Sequence, residues 1–360
     1  MKKPIFVLTV FFLGVTAFGF YTILSLKNRI NKIETKLGGP RKVASDQKAV
    51  VEKVRRSVVR IIGGESSGSG FAIQKGGYIL TNFHVIEFEP SPKIVLPDNT
   101  FETASVIMAD KDADLAVVKI NKDLPILLMA DLKKLESAEE LLAIGYPLSG
   151  DLPGESSVKK GLLSARRKDK TGMEYLETDM TLISGMSGGP MVNIFGEVVG
   201  INTMGLSGMG VAISADSIRK KWSQMYHSKD SLKDVQRVIF TPNKNALEAV
   251  RCFYNYLRCR NLEKAFVLLS DNFVHGYSFE HWAKGYAPLL NTTVIKIWPD
   301  EKTANRIRIK LHTRDLGEEG MVVDKLFEGY WDVRKMDGKW LLWHPKIHEV
   351  KEPDEKWFEQ

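Results

Sequence analysis

Gly185-Met186-Ser187-Gly188-Gly189-Pro190 sets a single hydroxyl inside a run of glycines. A nucleophilic serine needs an exposed Oγ and nearby N–H groups aimed at the point where negative charge develops. Glycines around it let the backbone approach a substrate with no Cβ in the way. The backbone N–H groups of Gly185 and Ser187 are therefore the candidate oxyanion donors. A glycine-rich turn without chemistry would carry the same letters, so the reading depends on partners elsewhere in the chain.

Two segments upstream supply them. Thr81-Asn82-Phe83-His84 follows an apolar strand and a Gly76-Gly77 turn, which puts an imidazole at a strand end, where a general base can point into a cleft. Asp112-Ala113-Asp114-Leu115-Ala116-Val117-Val118 offers a carboxylate to orient that imidazole and stabilise its cation. Asp110 and Asp112 compete for the role. Asp114 is preferred because it directly adjoins the apolar strand and is the one held inward. Along the chain the order is His84, Asp114, Ser187. That is the order of the chymotrypsin fold and not of subtilisin or the α/β-hydrolases.

The surrounding sequence is patterned for such a fold. Short apolar runs at Val58–Ile62, Gly70–Ile73, Tyr78–Thr81, Lys93–Leu96, Leu115–Ile120, Leu141–Ile144, Tyr175–Thr178 and Val198–Thr203 are separated by Gly, Pro, Asn and Asp turns. Regular short strands of this kind predict a mostly-β barrel or sandwich. A helix beginning at Ser217, with Ile218, Trp222 and Met225 on one side, closes the region.

On these motifs, residues 50–225, within an expected protease domain at 50–227, resemble the protease domain of the HtrA (DegP- and DegS-like) trypsin-like serine proteases. The matching text is Ser57–Ile61, Gly68–Ile73, Tyr78–Ile86, Asp114–Ile120, Ser187–Asn193 and Val199–Thr203. The resemblance implies a chymotrypsin-like double β-barrel with the active site between the barrels. It also implies His84, Asp114 and Ser187 as the triad, and protein or peptide substrates hydrolysed by a serine endopeptidase. Thr203, Gly205, Gly210 and Ala212 fall where it would place substrate-binding residues. One departure stands out: relatives usually carry Asn-Pro-Gly-Asn before the serine, whereas this chain reads Ile183-Ser184-Gly185-Met186. The loss of a stiff proline raises the alternative of a catalytically idle protease fold that serves as a binding scaffold. No PDZ-like segment follows.

After a polar linker at 228–243 the pattern changes. Apolar spacing predicts helices at Ala246–Leu257, Leu262–Leu269 and Phe279–Leu290. Strands are expected at Thr293–Trp298, Arg306–His312, Met321–Val333 and Trp340–Trp343, the last two joined by an Asp337-Gly338 turn. Helices followed by an antiparallel sheet form an α+β module, and residues 244–350 resemble the NTF2-like superfamily. That fold hosts enzymes and binding modules alike. Residues 351–360 are expected to be a tail.

At the other end, residues 4–26 hold no charge and are long enough to cross a ~30 Å hydrocarbon core. Residues 1–26 are therefore expected to be an uncleaved transmembrane signal-anchor, with a cleaved signal peptide as the rival. Residues 27–49 would be a stalk, whose apolar spacing leaves room for a homo-oligomer. Either reading puts the protease domain on the extracytoplasmic side, periplasmic or cell-surface in a bacterium. The 360 residues carry a net charge of +7, with 44% hydrophobic and 26% charged side chains. No basic–aromatic alternation accompanies the charge, so nucleic acid is not an expected partner. The two cysteines, Cys252 and Cys259, lie too far apart along a helix for a disulfide. No metal-ligand spacing is present, and no cofactor is expected.

Overall fold

Strand formation starts where β-branched residues crowd together. Val58–Ile62 (β1) is five consecutive buried positions. It pairs antiparallel on one side with Ser67–Gln74 (β2) and on the other with Lys93–Val95 (β4). With Tyr78–Thr81 (β3), Phe101–Thr103 (β5), Ser105–Asp110 (β6) and Leu115–Lys119 (β7) these make a seven-stranded antiparallel sheet in the order β5-β4-β1-β2-β3-β7-β6. It wraps a core of Val59, Ile61, Ile79, Ile94, Ala116 and Val118. The second sheet is a closed barrel, β10-β13-β12-β11-β8-β9. Its strands are Glu140–Gly145 (β8), Ser157–Lys168 (β9), Glu174–Thr178 (β10), Pro190–Asn193 (β11), Val198–Thr203 (β12) and Gly210–Ser214 (β13). Of the two barrels expected, the described residues form one closed barrel and one seven-stranded sheet with open edges. These coordinates come from a computed structural model that describes residues 47–64, 66–147, 154–203, 209–226 and 232–359. The expected anchor and most of the stalk lie outside the described residues.

A cluster including Val58, Phe71, Leu80, Ile144, Val192 and Ile201 joins the two sheets. Phe71 is fully buried there, and burial of such a side chain is worth about 2–3 kcal/mol. A helix that the sequence reading did not anticipate, Gln47–Arg55 (α1), packs Val50 and Val54 into the same cluster. Phe83–Ile86 (α2) follows β3, and Ala215–Tyr226 (α3) closes the barrel region.

Residues 48–360 form one compact unit, so the C-terminal region packs directly on this scaffold. Its helices are Ala246–Arg258 (α4), Leu262–Phe266 (α5), Asp271–Val274 (α6) and Phe279–Lys284 (α7). A four-stranded antiparallel sheet follows: Leu289–Pro299 (β14), Arg306–Leu316 (β15), Val322–Met336 (β16) and Lys339–Val350 (β17). The helix expected to run to Leu290 stops at Lys284, and Leu289 already begins β14. Gly285 and Pro288 break the helix, and Leu290 is needed elsewhere: it is buried with Ile62, Val95 and Val322 between the two regions. Trp331 lies in the core and donates its indole N–H to the Tyr254 hydroxyl at 2.9 Å, so its ring serves packing. The expected tail is also ordered. Glu355–Glu359 (α8) lays Trp357 on the outer sheet face, where its Nε1 donates to Glu328 at 2.7 Å.

Polar groups are also buried at the junction. Glu89, fully inaccessible, accepts from Arg258 Nε at 2.9 Å, Asn291 Nδ2 at 2.9 Å and the Ser91 N–H at 3.0 Å. Lys93, equally inaccessible, donates to the Ser91 and Arg258 carbonyls, each at 2.6 Å. Removing one member of a buried ion pair strands the others, at a cost of about 3–5 kcal/mol. Glu89→Ala is therefore expected to lower the unfolding free energy by about that much in urea titrations. A loss below about 1 kcal/mol would show that Arg258 finds other partners.

Burial also pulls the Lys93 ammonium down to about 8 from an ordinary value of 10.5. Between those two values the unfolded chain binds the proton and the folded chain does not, so stability from this group rises with pH. Relative to Lys93→Met, the parent protein should gain stability as pH is raised from about 8 to about 10. A flat difference across that window would refute it.

Candidate active site

The segment preceding Ser187 is a tight turn. The Met186 N–H donates to the Ile183 carbonyl at 3.1 Å, and Gly185, the third residue, has φ +89°. A positive φ at that place is the signature of a type II turn and favours glycine. Beyond the serine, Gly188 also has a positive φ, and a Cβ there would lie 2.1 Å from the Ser69 carbonyl oxygen. The glycines of the motif are therefore required by the backbone path.

Three buried side chains hold the turn. The Ser69 hydroxyl accepts from the Tyr146 N–H and donates to the Gly185 carbonyl, both at 2.8 Å. Its N–H donates to the Ser187 carbonyl at 2.8 Å, and its own carbonyl accepts from the Thr81 hydroxyl at 2.7 Å. Asn202 exchanges backbone hydrogen bonds with Gly188 and Gly189, while its amide nitrogen reaches the carbonyls of Ile144, Met186 and Pro190 at 3.2–3.4 Å. Among the described residues, the N–H groups of Gly185 and Ser187 donate to nothing. The turn thus keeps the amide donors on either side of Met186 unspent.

His84 is the second residue of α2, and its helix is entered through Asn82, whose side chain donates to the Asp114 carbonyl at 2.8 Å. Asp114 lies between β6 and β7 with φ +51°, a conformation unusual outside glycine. Its carboxylate accepts from the His84 backbone N–H at 3.0 Å and meets His84 Nδ1 at 2.9 Å. The Thr203 hydroxyl lies 3.2 Å from the same carboxylate. Of the rivals, Asp110 binds Lys221 at 2.9 Å and caps the Ala113 N–H; Asp112 is exposed. Gly68 separates the histidine segment from the serine, since a Cβ there would come within 2.9 Å of both Val85 and the Ser187 carbonyl oxygen.

Among the residues suggested for substrate binding, Thr203 spends its hydroxyl on Asp114 and thereby positions the carboxylate. Gly210 and Ala212 lie on β13; a Cβ at Gly210 would meet Met180, Thr178 and Leu182, and Ala212 is wholly buried. Gly205 lies outside the described residues. No group of three or more His, Cys, Asp or Glu side chains that could hold a metal occurs among the described residues. The parts that Ser69 and Asn202 play in holding the turn are not evident from the sequence. A serine flanked by glycines in a strand was the only signal of Ser69.

Residues 68–201 match the family described as a trypsin-like peptidase domain. Serine protease HTRA1 of Xenopus laevis is 37% identical over 176 residues, covering 46% of this chain and 38% of that protein. A probable periplasmic serine endoprotease DegP-like of Pseudomonas savastanoi pv. phaseolicola is 40% identical over 162 residues, covering 42% and 33%. Human serine protease HTRA4 is 34% identical over 200 residues, covering 50% and 41%. The chain spans between 33% and 41% of the length of these relatives. It therefore carries a trypsin-like peptidase domain homologous to the HtrA and DegP-like proteases, with a mostly-β, barrel-like fold.

Proposed function

We propose that this chain is a serine endopeptidase in which Ser187 attacks a peptide carbonyl, His84 takes and returns the proton, and Asp114 holds the imidazole. The observation that carries this reading is the Asp114 carboxylate bound to His84 Nδ1 at 2.9 Å, which leaves Nε2 as the proton-accepting nitrogen. The unspent amides of Gly185 and Ser187 would then stabilise the tetrahedral oxyanion. The acyl-enzyme formed on Ser187 would be hydrolysed by water activated by the same imidazole.

The finer parts of the reading have separate supports. The uncharged stretch at residues 4–26 supports a membrane anchor. The periplasmic designation of a DegP-like relative supports an extracytoplasmic protease domain acting on proteins of that compartment. Helices followed by an antiparallel sheet support an NTF2-like C-terminal domain.

A fluorophosphonate probe tests the central claim. Incubated with native protein, it should form a covalent adduct that tandem mass spectrometry places on Ser187, and prior heat denaturation should prevent the reaction. A native protein that forms no adduct while cleaving no peptide would instead favour an idle protease fold acting as a scaffold.

A further inference from the structure

The β15–β16 connection of the C-terminal sheet reaches the first sheet of the protease region. Glu319 and Gly320 have φ +54° and +79°, and a Cβ on Gly320 would lie 2.3 Å from Asn99 Oδ1. This glycine is therefore seated in a crevice that a larger residue would not enter. Its carbonyl accepts a hydrogen bond from the Arg60 guanidinium.

Arg60 is an odd residue for the middle of β1. It is only 5% exposed, its carbonyl partner is neutral, and its Nε has no hydrogen-bond partner among the described residues. A buried, incompletely satisfied cation is a poor choice for stability alone. Its position supplies another rationale. Arg60 pairs directly across the sheet with Ser69, so both side chains emerge on the same face. The guanidinium lies 6.0 Å from the centroid of the Tyr146 ring. Tyr146 in turn donates its N–H to the Ser69 hydroxyl, which holds the Gly185 carbonyl.

Resting on the endopeptidase reading above, we propose that the C-terminal sheet is a built-in support for the oxyanion turn. The Gly320 carbonyl fixes Arg60, Arg60 fixes the Tyr146 ring, and Tyr146 and Ser69 together hold the Gly185 carbonyl and, through it, the turn that carries the Gly185 N–H. Arg60 is thus a positioning residue that acts through Ser69 and Tyr146, and it makes peptidase activity depend on docking of the C-terminal sheet. The arrangement also supplies a local substitute for the stiffness lost with Ser184 in the turn.

The test uses the full chain. Arg60→Met and Gly320→Ala attack the contact from its two sides, and Arg60→Lys keeps the charge. Loss of a whole oxyanion donor costs about 10²–10³-fold in kcat. Loosening the turn should cost less, about tenfold in kcat, with KM within about twofold. Affinity for a peptide boronate, whose tetrahedral adduct needs the oxyanion amides, should fall in parallel with kcat. Arg60→Lys should recover part of both. Combining Arg60→Met with Gly320→Ala should cost no more than the worse single change, because both break one connection.

The proposal is overturned if Gly320→Ala, folded by circular dichroism, keeps parental kcat and boronate affinity, or if the double variant loses the product of the single losses. Boronate affinity unchanged while KM rises would also overturn it. The endopeptidase reading fails separately, if Ser187→Ala keeps parental activity.

Discussion

Ser187→Ala is expected to lower kcat by about 10⁶-fold, measured on an unstructured peptide substrate, with little change in folding. The size follows from the reaction. Alanine has no lone pair to form the acyl-enzyme, so only water attack remains, helped by the Gly185 and Ser187 amides and by substrate binding. Such residual assistance is worth about 10³–10⁴ over the uncatalysed reaction. Stability should be spared because the hydroxyl takes part in none of the hydrogen bonds that hold the turn. Those use the Ser187 carbonyl, which accepts from the Ser69 N–H, and the flanking glycines. The expected melting temperature is within a few degrees of the parent's, because Ser187, although buried, has no hydroxyl hydrogen bond among the described residues to lose, and the change removes only one oxygen atom. A variant that keeps more than about 1% of the parental rate would rule out Ser187 as the nucleophile.

The contrast between what could be read early and what could not follows physical lines. The strands Val58–Ile62, Tyr78–Thr81 and Val198–Thr203 have the bounds expected from the sequence. Each is a dense apolar or β-branched run, and local pattern and tertiary burial agree. Ser157–Lys168 was not anticipated as a strand. Its text, with Lys159, Lys160, Arg166, Arg167 and Lys168, reads as a charged loop. It is a strand because its first half, 157–162, pairs with β8 and its second half, from Leu163 to Lys168, pairs with β10, which outweighs side-chain propensity. The helix within the C-terminal tail is hidden from the sequence for a similar reason. A short polar stretch carries no signal that Trp357 will find Lys310 and Glu328 on the face of a distant sheet.

The candidate site shows the same division. His84, Asp114 and Ser187 were legible because their chemistry is written in residue type and chain order. The choice among Asp110, Asp112 and Asp114 could be made only weakly from the adjoining apolar strand; geometry separates them through Lys221 on Asp110 and His84 on Asp114. Ser69, Asn202 and Arg60 were not legible as functional residues at all. Ser69 and Arg60 act through contacts more than a hundred residues distant along the chain, with Gly185 and Gly320, and Asn202 acts through carbonyls up to 58 residues away. A single polar residue in an apolar strand does not announce such a partner.

Asp114→Asn is expected to lower kcat by about 10⁴-fold while leaving the fold intact. The argument turns on which atoms the carboxylate serves. Oδ1 accepts from the His84 backbone N–H at 3.0 Å and also lies 3.0 Å from His84 Nδ1, while Oδ2 lies 2.9 Å from Nδ1 and 3.2 Å from the Thr203 hydroxyl. An asparagine must keep its single oxygen on the backbone N–H, because a nitrogen there would set two donors against each other. Its NH₂ group then faces Nδ1 as a donor. That nitrogen must become an acceptor, which moves the imidazole proton to Nε2 and leaves no base for the Ser187 hydroxyl. The lost anion also ceases to stabilise the imidazolium formed in the transition state. KM should move far less than kcat, since no substrate contact is altered. Asp110→Asn is the matched control: that carboxylate serves Lys221 and the Ala113 N–H, so its replacement should cost stability and leave kcat within about twofold. If Asp110→Asn abolished turnover while Asp114→Asn lowered it less than about tenfold, the carboxylate that supports His84 would have to be reassigned.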